Sequence, residues 1–198
     1  MSIPDDAPGP DPLAVFAAWR EEVRAEAAEP DAVALATSSP DGAPSVRFVL
    51  LRGISADGVR FFTNYRSRKG GELESNPRAS IAWFCSASRR QVRVAGAVAR
   101  VSAADSDRYF ASRDRGHQLG AHASAQSEPL RDRAELEGAY AAAAARFEGR
   151  EVERPAHWGG YELRASAVEL WLQRDDRLHD RFAYVRGPDG WSAVRLAP

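Results

Sequence analysis

The sequence is short of cysteine, of surplus charge and of long apolar runs. Cys85 stands alone in 198 residues, so neither an internal disulfide nor a multi-cysteine metal centre can form. Its neighbours Ile81-Ala82-Trp83-Phe84 suit a buried, inert thiol, and that usage fits a reducing cytoplasm. With 27 Lys+Arg against 28 Asp+Glu the net charge is −1, which removes any global electrostatic reason to expect a nucleic-acid or membrane partner. No signal-peptide core and no apolar stretch of transmembrane length occurs, so a soluble cytoplasmic protein is expected. Neither GxxxxGK[ST] nor GxGxxG after a strand is present, which excludes the two common nucleotide fingerprints. The four histidines form no HExxH or close-set pair, and no GxSxG surrounds a serine, so zinc hydrolysis and serine-nucleophile chemistry lack their signatures.

What is present centres on Val46 to Leu73, VRFVLLRGISADGVRFFTNYRSRKGGEL. Apolar-rich runs at 46–51 and 59–63 flank Ser55-Ala56-Asp57-Gly58, predicting a β-hairpin whose glycine takes a positive φ. The second strand opens into Asn64-Tyr65-Arg66-Ser67-Arg68-Lys69-Gly70-Gly71, followed by a short helix ending near Asn76-Pro77. Cations, hydroxyls, glycines and a helix start in one loop suit a phosphate, since backbone N–H groups and guanidinium donors can approach one anion together. A solvated basic loop is the alternative. Arg47 and Arg52 are five positions apart on one strand, so pleating turns them to opposite faces with roughly 16 Å between them. Two separate anionic groups, or arginines that merely end a strand in solvent, would both satisfy that spacing.

Residues 1–10 carry three prolines and little apolar content, predicting a disordered or loosely draped arm before a single domain over 11–198. Asp11-Pro12 starts a helix with a stripe of Leu13, Phe16, Ala17, Val23 and Ala27, expected to run to about Ala28. Strands are predicted at 33–37, 79–85, 89–101, 158–163, 168–173, 182–186 and 191–196, with turns at Pro40-Asp41-Gly42 and Pro188-Asp189-Gly190. Gly96 reads as a bulge or close approach. Helices are predicted at 103–112 and 131–148, the latter with a stripe of Leu136, Tyr140 and Phe147, while 113–127 reads as an aperiodic binding loop. Many short strands with a few helices argue a mostly antiparallel, Greek-key-like β-barrel with peripheral helices.

Between the last strands lies QRDDRLHDR, residues 173–181. An extended backbone there would put Arg177, His179 and Arg181 on one face as a catalytic cluster. The same residues also read as an exposed turn neutralised by Asp175, Asp176 and Asp180.

Taken together, RFVLLR (47–52), FFTNYRSRKGGEL (61–73), RQVRVAG (90–96), RYFASR (108–113), WGGYELR (158–164), ELWLQRDDRLHDRF (169–182) and the terminal RLAP closely resemble pyridoxine/pyridoxamine 5′-phosphate oxidases. The resemblance implies a split-barrel flavoprotein working as a homodimer, with FMN at the subunit interface. It implies that Arg47, Arg68 and Lys69 hold the FMN phosphate with Thr63 and Ser127, along the strand Phe48, Val49, Leu50, Leu51 and Arg52 and beside Phe62. Gln91, Gln126, Trp171 and Arg181 would address the isoalloxazine. Tyr109 and Arg113 match ligands of the substrate phosphate, and Arg177 and His179 match the pair covering the substrate ring. The implied reaction oxidises pyridoxamine or pyridoxine 5′-phosphate to pyridoxal 5′-phosphate while O2 becomes H2O2. Two departures stand out: Arg52 replaces the family's usual lysine and His117 its usual serine, both at the substrate phosphate. Related flavin oxidases of phenazine biosynthesis share an RLHxR-type loop but lack the counterparts of Tyr109 and Arg113. A non-catalytic flavin-binding module is the remaining alternative.

Overall fold

A computed structural model describes residues 6–25 and 29–198. The elements are α1 (Pro12–Glu22), β1 (Ala32–Ser38), β2 (Pro44–Ile54), β3 (Gly58–Asn64), α2 (Arg68–Ser75), β4 (Arg78–Cys85) and β5 (Arg90–Arg100). After these come α3 (Ala103–Ala111), α4 (Arg115–Ala123), α5 (Arg133–Arg146), β6 (Trp158–Leu172), β7 (Asp180–Gly187) and β8 (Gly190–Leu196). All strand pairs are antiparallel. The order β3-β2-β1-β4-β5-β6 closes on itself through β3–β6, and β7 and β8 extend the sheet from β6. The expected barrel is therefore present, with six strands closed and two outside the closure.

Alternation drives the closure. Val33 and Leu35, Leu51, Val59 and Phe61, Ile81 and Trp83, Val92 and Val94, and Leu163 are all buried on the inner face. Helix α1 begins where Asp11 accepts from the N–H groups of Leu13 and Ala14, with Pro12 at its first position. It buries Leu13, Phe16 and Trp19, and Phe16 packs on Trp83 with ring centroids 5.6 Å apart. The helix stops at Glu22 rather than near Ala28: among the described residues of the stripe Val23 is the last buried one, and Arg24 N–H closes a turn on Glu21 O. The last part of that expectation, residues 26–28, lies outside the described residues, as do residues 1–5 of the expected arm. Residues 6–10 are draped on the β7–β8 extension, where Gly9 O accepts from Tyr184 and Asp6 pairs with Arg195.

Three further expectations change. First, 158–163 and 168–173 are one 15-residue strand, β6. Its polar middle, Arg164 to Ser166, weakens the apolar pattern, yet β5 pairs along nearly the whole strand while β3 takes the first half and β7 the second. Second, 113–127 contains α4, which buries only Leu119 and so shows no apolar period. Tertiary hydrogen bonds hold it instead: Arg115 donates to Phe147 O and Arg150 O, and Gln118 to Phe110 O. Third, the stripe predicted on α5 is shallow, with Tyr140 40% exposed and Ala143 the buried residue within the helix.

Two glycines answer to close approach. At Gly96 the β5–β6 register shifts, and an added Cβ would lie 1.8 Å from Arg164 O, as the bulge reading expects. Gly58 does close the β2–β3 hairpin, but its φ is not positive. The glycine is needed because a Cβ there would lie 1.9 Å from Leu163 O.

Candidate functional site

One cavity of about 1060 Å³ opens between β2, the β3–α2 turn and helices α3 and α4. Ser67 caps α2 by accepting from Gly70 N–H, which presents the first turn of the helix to the cavity. Arg47, Arg68 and Lys69 line this end. Glu72, buried and absent from the sequence-based site, organises them. One of its oxygens accepts from Arg68 Nε at 2.9 Å, and the other from Thr37 (2.5 Å), Ser45 (2.6 Å) and Arg47 Nη2 (3.2 Å). Arg47 also donates to Thr37 and Ser45, so two hydroxyls sit between guanidinium and carboxylate. Burial opposes the Glu72 charge, but hydrogen bonds from Ser45, Thr37, Arg68 and Arg47 outweigh it and lower its pKa to about 2.

Lys69 is buried too, with Nζ donating to Ser67 (2.9 Å), Gln126 (2.9 Å) and Thr63 (3.2 Å). Burial and then the Arg47 charge lower its pKa to about 8, against a partial upward pull from Glu72. Ser127, at φ 78°, accepts from Arg68 N–H at 3.1 Å. Three cations thus share one carboxylate. The surplus positive charge, amid hydroxyls and a helix start, matches a dianionic phosphate monoester in charge and donor type.

Arg52, Tyr109, Arg113 and His117 line the same cavity. Phe62, Tyr109 and Trp158 form a stack, with Phe62 and Tyr109 centroids 4.0 Å apart, and Arg113 lies over the Trp158 ring at 4.6 Å. Burial and the nearby Arg52 charge lower the Arg113 pKa against a pull from Tyr109, and its Nη1 is buried without a partner. Arg47 and Arg52 do face apart, one bound to the Glu72 network and the other to Asp31 at 2.9 Å, yet both reach this one cavity. Phe48, Val49 and Leu50 line it as well, while Leu51, expected at the cofactor, is fully buried in the core and is not on the cavity.

Gln91, Trp171, Arg177, His179 and Arg181 are not on this cavity. Gln91, Trp171 and Arg181 are register partners in a row across β5, β6 and β7. Arg181 donates to Glu169 (3.0 Å) and to Ala197 O (2.9 Å), which ties the C-terminus to the row. Burial works against the Glu169 charge, but bonds from Arg181 and Arg93 keep its pKa below the ordinary value. The loop beyond is not extended: Asp175–Arg177 is a single 3-10 turn with positive φ at Asp176 and Arg177. The shared-face argument for Arg177 therefore fails, because a left-handed residue breaks the alternation. His179 still reaches the row, its ring 4.6 Å from that of Trp171, and Nδ1 accepts from Arg174 N–H. The ion-paired reading is partly realised, since Asp180 binds Arg174 and Arg195 and Asp175 lies 4.0 Å from Arg89.

Residues 19–147 match the family model described as pyridoxamine 5′-phosphate oxidase. The chain belongs to that family. Residues 158–198 match a second model, the pyridoxine 5′-phosphate oxidase C-terminal dimerisation region. The pyridoxine/pyridoxamine 5′-phosphate oxidase of Rubrobacter xylanophilus is 50% identical over 99% of this chain and 91% of its own length. That of a Cyanothece species is 46% identical over 100% of this chain and 93% of its own. Among solved structures, PhzG from Burkholderia lata in complex with tetrahydrophenazine-1-carboxylic acid has a TM-score of 0.92 and 31% identity, covering 100% of this chain and 98% of that one. An FMN-binding, pyridoxamine 5′-phosphate oxidase-related protein from Nostoc punctiforme has a TM-score of 0.75 at 20% identity, covering the whole of both chains, and shares the fold.

Glu72, Asp31 and Trp158 are not among the site residues expected from sequence, although Glu72 and Trp158 lie within the quoted motifs. The i,i+4 spacing of Arg68 and Glu72 is a signal for that pair. Nothing local joins Asp31 to Arg52, 21 positions away.

Proposed function

We propose that the protein is an FMN-dependent oxidase converting pyridoxamine 5′-phosphate and pyridoxine 5′-phosphate to pyridoxal 5′-phosphate, with O2 as the electron acceptor and H2O2 released. The observation that carries this is a single cavity lined by two sets of groups able to donate to a phosphate: Arg47, Arg68 and Lys69 around Glu72, and Arg52, held by Asp31, with Arg113 and His117. Cofactor and substrate each bring one phosphate, and a flavin-storage module has no use for the second set. The first set fits the FMN phosphate, aided by Thr63, Ser127 and the start of α2. FMN, when bound, supplies the two-electron acceptor. The chain's part is binding and orientation: Tyr109 and Arg113, with Arg52 and His117, fix the substrate phosphate, and holding the reacting carbon in place lowers the barrier by several kcal/mol, about 7 at the low end for well-oriented groups.

The same reading assigns Gln91, Trp171, Arg177, His179 and Arg181 to the other side of the flavin and substrate. They reach it from a second copy, in a homodimer. The match of 158–198 to a dimerisation region supports this, as does the apolar rim of β2, where Val46 is 69% and Phe48 78% exposed in one copy. Its unit is residues 11–198, in which β6 is shared by the barrel and the β7–β8 extension. No described helix is long and apolar enough to cross a membrane, and the lone Cys85 suits the cytoplasm.

Anaerobic addition of pyridoxamine 5′-phosphate to the flavin-loaded protein tests this. Bleaching of the flavin band near about 450 nm, a property of the cofactor, and its return with H2O2 on admitting air are expected. An unchanged flavin spectrum with both vitamers would overturn the assignment. The likeness to PhzG makes a reduced phenazine carboxylic acid the substrate to try next.

A further inference from the structure

We infer that Asp31 is a positioning residue for substrate recognition, acting through Arg52; this rests on the oxidase reading above. Asp31 stands just before β1, where its carbonyl accepts from Leu51 N–H at 2.8 Å and so ties it to the strand that carries Arg52. The carboxylate then splits its two oxygens. Oδ1 takes Arg20 of α1 through Nε (2.9 Å) and Nη2 (2.5 Å), with Arg24 4.0 Å away. Oδ2 takes Nη1 of Arg52 at 2.9 Å. The Arg52 side chain makes no other hydrogen bond among the described residues, so Nε and Nη2 are left for a ligand in the cavity.

The charge balance gives this arrangement its role. Arg20, Arg24 and Arg52 converge on one carboxylate, and Arg113 is close enough to Arg52 to feel its charge. An arginine is longer and more planar than a lysine and carries more rotamer freedom, so on an open rim it needs an anchor to present one edge to a phosphate. Asp31 supplies that anchor, and Arg20 holds Asp31 in turn from a helix whose other face is buried in the barrel. Without the carboxylate, three like charges repel and Arg52 turns toward solvent.

A double-mutant cycle tests the coupling. Steady-state turnover of pyridoxamine 5′-phosphate and equilibrium binding of pyridoxal 5′-phosphate, followed by absorbance, are measured for the parent, Asp31→Asn, Arg52→Lys and the double variant. Asp31→Asn should raise KM and the pyridoxal 5′-phosphate Kd about tenfold, change kcat less than about twofold and leave flavin content intact, one lost charge-assisted contact being of that size. In the Arg52→Lys background the same change should move KM less than about twofold, because the shorter lysine no longer depends on Asp31. Asp31→Glu, which keeps the charge, should recover part of the loss, and it serves alone if Asp31→Asn does not fold. Equal KM effects in both backgrounds mean a purely structural role and overturn the inference, as does an unchanged KM. A parent that binds and oxidises neither vitamer defeats the oxidase reading itself, and the inference with it.

Discussion

Lys69 keeps its ammonium buried among Thr63, Ser67 and Gln126, with a pKa lowered to about 8 from 10.5. The folded value lies below the unfolded one, so charging Lys69 costs the unliganded fold stability below about pH 8, and the cost disappears as pH rises toward 10.5. A bound phosphate favours the ammonium and raises that value. FMN affinity should therefore fall as pH rises from 8 toward 10.5, and Lys69→Arg should flatten this limb in fluorescence titrations of the apoprotein. An identical pH dependence in the arginine variant would remove Lys69 from the phosphate site. Arg47→Ala, lacking a charge-assisted contact worth about 1.5 to 3 kcal/mol, should weaken FMN roughly ten- to a hundredfold. Glu72 has the opposite sign: with a folded pKa near 2 against an ordinary 4.5, it contributes stability above 4.5 that is lost as pH falls toward 2. Acid unfolding of Glu72→Gln, compared with the parent, should lose part of its dependence on pH in that window. A parallel acid limb would show that the carboxylate does not hold the two arginines.

Strands were more legible in the sequence than helices, for a physical reason. Alternation in 90–100 survives because one face of β5 packs into the barrel, and Gly96 shows as a gap in that face. Helix α4 left no comparable trace, since bonds from Arg115 and Gln118 to distant carbonyls hold it in place of a buried stripe. The loop cations Arg68 and Lys69 could be read as a phosphate site from their crowding with Arg66, and Arg47 joined them only through the family resemblance, whereas Glu72 beneath them depends on Thr37 and Ser45, 35 and 27 positions away. Arg177, His179 and Arg181 could be associated in sequence, but the left-handed turn at Arg177 is set by the loop and not by any period. The β5–β6 contact at Gly96 gives an element-scale test. Gly96→Ala places a methyl 1.8 Å from the Arg164 carbonyl, so one strand must shift. A loss of about 3 kcal/mol or more is expected, seen as a fall in Tm of roughly 6 to 12 °C. A Tm unchanged by the substitution would mean that the bulge is not a fixed feature of the barrel.

At the scale of the whole molecule, the cavity and the Gln91–Trp171–Arg181 row are separate in one chain, and the proposed oxidase needs both. Two copies can satisfy that requirement if each lends its row to the other's cavity, which makes the flavin site a property of the pair and couples flavin retention to assembly by mass action. Complementation between two inactive variants measures this most directly. One carries Arg47→Ala and Lys69→Ala and damages the cavity; the other carries His179→Ala and Arg181→Ala and damages the row. Each should be nearly inactive toward pyridoxamine 5′-phosphate alone. After exchange at equal concentrations, half the dimers are hybrids with one intact site, so activity should rise to about a quarter of the parental rate. Hybrids demonstrated by differential tagging that show no activity above the sum of the two variants would contradict a site shared between subunits.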